Sequence, residues 1–99
     1  MNMTKNKNGN LIEFQPLGNF NAGKANHTLY SCVNEIIANF PKEIVLVKNK
    51  CKVPISTWKA DHEFDNSKPG VYKFIGYLSD EYKALKEKIS EIQILVYVH

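Results

Sequence analysis

The potential metal ligands and acid–base groups of this chain are concentrated in one short stretch, Asp61-His62-Glu63 with Asp65. Carboxylates on such a loop could bind Ca²⁺, and an imidazole could join a transition-metal site. Neither the spacing nor the set of residues matches an EF-hand loop or a zinc signature. We therefore interpret the stretch as a polar, solvated loop in which turn hydrogen bonds of the Asp65 side chain fix the approach to Pro69-Gly70. We expect neither a metal site nor a cofactor.

Catalytic chemistry has little support in the sequence. Two carboxylates are what a glycosidase requires, but Asp61, Glu63 and Asp65 share one short loop with no evident cleft between them. The G-x-S-x-G, P-loop and Rossmann glycine patterns do not occur. A cysteine nucleophile needs an adjacent base, and no motif places any of the three histidines beside a cysteine. We predict a protein without catalytic residues.

Composition and charge narrow the class of protein. The 99 residues, 43% hydrophobic and 23% charged, are enough for one folded domain with its own core. The net charge of +3 comes from dispersed lysines, and the sequence contains no arginine. Because nucleic-acid readers depend on arginine for bidentate contacts with bases and phosphates, we expect no nucleic-acid partner.

The sequence leaves two alternatives for localisation. No apolar run approaches the ~18 to 20 residues that cross a bilayer, and residues 1–9 are polar and lack the apolar region of a signal peptide. An exported module would therefore need its signal on a longer parent chain. If the 99 residues are the whole protein, we expect a cytoplasmic location.

Apolar periodicity predicts a mostly β domain over residues 11–99, preceded by a flexible tail of residues 1–10. Apolar residues recur at helical spacing between Cys32 and Phe40, which predicts a helix of about two turns. Residues 79–88 fit either one or two helical turns or a solvated loop. The predicted strands are residues 11–14, 44–47, 51–55, 71–78 and 89–98, and residues 17–23 are predicted to form a loop.

The only Trp of the chain ends the stretch Val53-Pro54-Ile55-Ser56-Thr57-Trp58, which is followed by a Pro69-Gly70 turn and by a strand from Val71. A strand that ends in a buried Trp and a return through Pro-Gly are typical of a small β-sandwich. We expect Trp58 and Tyr72 to lie in the core. Because Pro54 cannot donate a ladder hydrogen bond, we place it on a sheet edge or at a β-bulge.

These segments resemble the bacterial immunoglobulin-like domains of surface proteins and secreted glycan-active enzymes. The resemblance covers about two-thirds of the chain, and it departs from the family pattern in the extra residue before Trp58, in Lys48-Asn49-Lys50 where an Asp-Gly turn is usual, and in the insert of residues 79–88. The extra residue, relative to that pattern, predicts a β-bulge before Trp58. It implies an all-β, immunoglobulin-like β-sandwich of about seven short strands with one short helix. The matching segments, in order, are Phe40-Pro41 with a Val-rich strand, Val53-Pro54-Ile55 with Trp58, Phe64-Asp65, and Lys68-Pro69-Gly70-Val71-Tyr72-Lys73-Phe74-Ile75-Gly76.

The resemblance implies a non-catalytic, monomeric module of a bacterial surface or secreted protein, extracellular or associated with the cell wall. It would serve as a spacer or as an adhesive or glycan-contacting domain, and its partner would be a protein or glycan at the cell surface. Tyr77, Tyr82 and Tyr97 are our candidate binding residues, and an exposed strand edge is a second place where a partner could add. The alternative is a small stand-alone cytoplasmic protein that binds and inhibits a partner, as immunity proteins and phage-encoded inhibitors do.

Cys32 and Cys51 also have two interpretations. Surface modules of the kind described above usually lack disulfides, so we expect two buried free thiols. In the alternative, an oxidised pair in an exported protein would link the helix to the sheet and contribute about 2 to 4 kcal/mol.

Overall fold

The computed structural model describes residues 11–30 and 32–99, so the tail predicted for residues 1–10 lies outside the described part of the chain. No helix within the described ranges is long and apolar enough to cross a membrane. The elements of these ranges, in chain order, are β1 (Asn19–Lys24), β2 (His27–Thr28), α1 (Val33–Ile37), β3 (Glu43–Val45), β4 (Lys52–Ala60), β5 (Gly70–Leu78), a 3₁₀ turn (Asp80–Tyr82), α2 (Lys83–Lys86) and β6 (Ile92–Val98).

The strands form one curled, mixed sheet in the order β2-β1-β6-β5-β4-β3. The four strands from β3 to β6 pair antiparallel with their neighbours in sequence. β1 instead pairs parallel with β6, placing Asn19 opposite Leu95 and Asn21 opposite Tyr97. The protein is thus mostly β with a short helix between Cys32 and Phe40, as predicted, whereas the two packed sheets of an immunoglobulin-like sandwich are not confirmed.

Residues 11–24 form backbone hydrogen bonds with two distant parts of this sheet, the end of β3 and strand β6. Backbone hydrogen bonds of 2.8 and 2.9 Å join residues 13–15 to Val45 and Val47, and so cover the end of β3. Gly18, whose φ of +81° favours glycine, then turns the chain toward the opposite edge, where it becomes β1. Residues 11–24 therefore connect β3, at one end of the strand order, with β6 near the other end, and so help to keep the sheet curled.

The core lies inside the curl. Inward and outward residues alternate strictly along β6, as predicted, and the inward ones are Ile92, Ile94, Val96 and Val98. Phe40, just beyond α1, is 3% exposed, and its ring centroid lies 5.0 Å from that of Trp58, 5.3 Å from that of Phe74 and 5.5 Å from that of Phe20. All three pairs have the edge-to-face geometry that aromatic rings prefer. Phe40 therefore ties α1 to β1, β4 and β5.

The bulge predicted before Trp58 is confirmed. Pairing of β4 with β5 passes from Ile55 opposite Leu78 directly to Thr57 opposite Tyr77, so Ser56 is the extra residue. Trp58 itself is 8% exposed, as expected for a core residue.

Two predictions for the N-terminal part are wrong. The stretch predicted as a loop contains all of β1 but Lys24, because parallel pairing with β6 stabilises a strand in spite of its Asn and Gly residues. The strand predicted over residues 11–14 contributes only an isolated bridge between Phe14 and Leu46. In both cases long-range pairing decided the outcome.

The expectation of buried thiols is also wrong. Cys32 and Cys51 are unpaired, but both are exposed. Cys32 immediately precedes α1, and Cys51 lies between the β3–β4 turn and the first residue of β4. Both lie just outside a helix or strand, and the packing of α1 and β4 leaves both side chains on the surface.

Candidate functional site

Asp65 fixes the turn that leads into β5, as the sequence predicted. Its Oδ1 accepts hydrogen bonds from the Ser67 N–H at 2.9 Å and from the Ser67 hydroxyl at 2.6 Å. The Tyr72 hydroxyl is within hydrogen-bond distance of the carbonyl oxygens of Asp65, at 2.9 Å, and of Lys68, at 2.7 Å. The carboxylate is thus occupied in holding its own loop.

The pKa of the Asp65 carboxyl lies below its ordinary value, chiefly because the Ser67 hydroxyl and then the Ser67 N–H bond to its ionised form. A carboxyl whose pKa is lowered by folding stabilises the fold above its ordinary pKa, near 3.9, and this contribution is lost as the pH falls through the lowered value. We therefore expect Ser67→Ala to raise the Asp65 pKa toward the ordinary value and to weaken the loss of stability below about pH 4. A ¹³C NMR titration of the carboxyl and thermal unfolding against pH measure both effects. Ser79→Ala is the control, and an Asp65 pKa unchanged by Ser67→Ala would contradict this account.

The rest of this loop is open to solvent. The exposed Asp61, His62 and Glu63 line a wide depression together with Cys32 and Val33. Within the described residues, no three His, Cys, Asp or Glu side chains are grouped so that they could hold a metal ion.

The structure does not bring the three candidate tyrosines together. Tyr77 and Tyr97 both lie on the outer face of the sheet, on β5 and β6. Tyr97 is opposite Val71, which is six residues from Tyr77 and therefore about 20 Å away along β5. Tyr82 lies in the 3₁₀ turn and packs against the core. A sugar-stacking platform made of all three rings is therefore not formed.

A different feature is the uncovered side of β4. β3 covers only the beginning of β4, since its pairing ends with Glu43 opposite Pro54 and with the Ile55 N–H donating to Lys42 O at 2.8 Å. In the described chain, no strand pairs with residues 56–60 on the side away from β5.

The alternation of an antiparallel ladder identifies the open backbone groups. The Asp61 N–H donates to Lys73 O at 2.8 Å, so residues 57, 59 and 61 exchange hydrogen bonds with β5. The N–H and C=O groups of Trp58 and Ala60 therefore point to the uncovered side. Neither residue has a backbone partner on that side among the residues that the structure describes.

Helix α1 stands beside this open edge. A depression of about 410 Å³ lies between Asn34, Ile37 and Ala38 on one wall and residues 55–58 on the other. It is followed along β4 by the depression of about 740 Å³ that reaches from Cys32 and Val33 to residues 60–66. We call the two together the β4 groove. The indole Nε1–H of Trp58 donates to Pro41 O at 3.0 Å and fixes the floor of the groove.

Sequence reasoning found parts of this site but not the whole. Pro54 and the extra residue before Trp58 signalled an irregular β4, and an exposed strand edge was foreseen as a contact surface. The groove itself depends on where α1 packs relative to β4, which no local pattern specifies.

The chain was compared with family models, with curated proteins and with solved structures. None of them matches it. Its function must therefore be inferred from the geometry of its own residues.

Proposed function

We propose that this protein is a non-catalytic binding module that holds an extended segment of a partner protein in the β4 groove. The observation that carries the proposal is the open side of β4, where Trp58 and Ala60 present N–H and C=O groups without backbone partners among the described residues. Such groups recognise an added strand through main-chain hydrogen bonds.

The walls of the groove favour a single strand over a whole sheet. Exposed edges are a hazard because another sheet can pair with them, and proteins protect them with bulges or covering elements. Here α1 lies beside the open edge and forms the opposite wall of the groove, and the bulge at Ser56 interrupts the edge. The depression of about 410 Å³ between α1 and residues 55–58 is the space available to a segment along this edge.

A protein segment is better supported than a glycan. Stacking of a sugar chain needs aromatic rings near one another on an open surface, and Tyr77 and Tyr97 lie about 20 Å apart. The buried Trp58 contributes the floor of the groove and offers little free ring face, since it is 8% exposed.

Substituting proline on alternate positions of β4 tests the proposal. The N–H of Ala60 faces the groove, so Ala60→Pro removes a donor for the partner and leaves the β5 ladder intact. Peptides selected on the wild-type protein from a display library of random 12-residue sequences should bind Ala60→Pro at least ~10-fold more weakly, through loss of a main-chain hydrogen bond and steric exclusion by the ring. In NMR spectra they should shift the amide signals of Trp58 and Ala60.

Two control variants distinguish a loss of binding in the groove from a loss of stability and from a loss of contacts on the outer face of the sheet. Lys59→Pro removes a bond to β5 and should lower stability, whereas Tyr77→Ala should leave peptide affinity unchanged. Peptides that bind Ala60→Pro normally and fail on Tyr77→Ala, or a library that yields no binder at all, would contradict the proposal.

We also propose that the module is exported and acts at the cell surface or in the medium. The resemblance to bacterial immunoglobulin-like domains supports a monomeric surface or secreted module, and an inhibitor that captures a partner's strand would use the same groove in the cytoplasm. An immunoblot of fractionated source cells distinguishes them. A band far above 11.3 kDa in the wall or medium supports the surface module, and a band near 11.3 kDa in the cytoplasm supports the inhibitor.

A further inference from the structure

The charges at the two ends of the β4 groove differ in sign. Asp61 and Glu63 line the end beyond Ala60, and Lys42 lines the end near Ile55. Asp65 does not add to the acidic end, because Ser67 occupies its carboxylate. The Asp61 carboxylate lies 3.6 Å from the Nε2 atom of the exposed His62, whereas Glu63 is exposed and forms no ion pair with the residues that the structure describes.

The direction of an added strand follows from β3. β3 runs antiparallel to β4, and the last hydrogen bond between them joins the Ile55 N–H to Lys42 O. A partner segment that pairs with residues 56–60 in the same antiparallel sense would extend the ladder that β3 begins. Antiparallel pairing is also slightly more stable per residue than parallel pairing. This direction places the N-terminal end of the segment beside Asp61 and its C-terminal end near Lys42.

The alternation of β4 then assigns a role to each position of the segment. Directly opposite residues of an antiparallel pair share a face. The residue opposite Asp61 lies on the outer face beside a carboxylate. The residue three positions later is opposite Trp58 and points to the inner side, toward Trp58 and the half-buried Ile37 of α1.

We propose that the partner segment is an antiparallel strand with Lys or Arg opposite Asp61 and a branched apolar residue three positions further on. The proposal rests on the proposed function and names the sequence that the groove would select. The uncovered edge, residues 56–60, spans about 17 Å, so a segment of five to eight residues fills it.

The probe is an acetylated and amidated octapeptide of β-branched residues with Lys at position 3 and Ile at position 6. Its matched controls carry Glu at position 3, or Ser at position 6. We expect the Glu peptide to bind about fivefold more weakly, as cross-strand charge pairs imply, and the Ser peptide about tenfold more weakly. The double variant Asp61→Lys with Glu63→Lys should reverse the preference between Lys and Glu at position 3. Binding is measured by NMR titration at low and high salt.

The outcomes distinguish this inference from the function it rests on. Equal affinity for the Lys and Glu peptides, with binding still lost in Ala60→Pro, would overturn the charge assignment and leave strand addition standing. Binding of the octapeptides that is indifferent to Ala60→Pro would overturn both. Sedimentation that shows a dimer broken by Ala60→Pro would identify a second copy of the chain as the occupant and would also overturn the inference.

Discussion

Replacing Phe40 with alanine is expected to lower the free energy of unfolding by about 3 to 5 kcal/mol. The side chain is 3% exposed, and three aromatic rings surround it with centroids within 5.5 Å. Its loss leaves a cavity between α1 and three strands that the surrounding rings cannot fill without moving. Because a domain of this size is stable by only about 5 to 15 kcal/mol, this loss is a substantial fraction of its total stability. Urea unfolding followed by Trp58 fluorescence measures the change.

Val71→Ala is the matched control for this prediction. Val71 is 58% exposed on the outer face, so its truncation should change stability by less than about 0.5 kcal/mol. If Phe40→Ala does not fold, Phe40→Leu retains most of the volume and should show a smaller loss. A loss below about 1 kcal/mol in Phe40→Ala would mean that Phe40 does not hold α1 against the sheet.

Gly76→Ala is expected to destabilise the protein by about 1 to 3 kcal/mol, although alanine normally suits a strand better than glycine. A Cβ at this position would lie 3.0 Å from Ile92 Cγ2 and 3.2 Å from two atoms of the Trp58 ring. Both neighbours are buried, so neither can withdraw without disturbing the core. Thermal or urea unfolding measures the loss.

Repeating Gly76→Ala in a Trp58→Phe variant distinguishes steric crowding by the indole ring from backbone strain as the cause of the loss. Trp58→Phe removes the ring atoms nearest to the new methyl group, so Gly76→Ala should cost less in that background. Gly18→Ala should cost about 1 to 2 kcal/mol in both backgrounds, because its φ of +81° disfavours any side chain while nothing lies within 4 Å of the added methyl. Equal costs of Gly76→Ala in the two backgrounds would contradict the crowding explanation.

The features that the sequence predicted correctly are those that depend on residues close together in the chain. β5 and β6 were predictable because each alternates inward and outward residues over a length that only a strand accommodates. The bulge at Ser56 was predictable because Pro54 cannot donate a ladder hydrogen bond and because this stretch has one residue more than the pattern it resembles. The turn held by Asp65 was predictable because its hydrogen bonds span only two residues.

The candidate site was predictable only in part. An exposed strand edge was anticipated, but the tyrosines chosen as binding residues were selected for their type alone, and the fold separates them. β1 was missed because its partner, β6, lies more than 70 residues later in the chain.

The sequence by itself determined the presence of β3 to β6, the short helix, the bulge and the buried face of β6, because these depend on side chains a few residues apart. The tertiary structure decided the parallel docking of β1, the exposure of both thiols and the β4 groove. Each of these depends on where distant segments meet. The open side of β4 exists because β3 ends its pairing at Lys42 and α1 packs beside residues 55–58, and neither fact has a local signal.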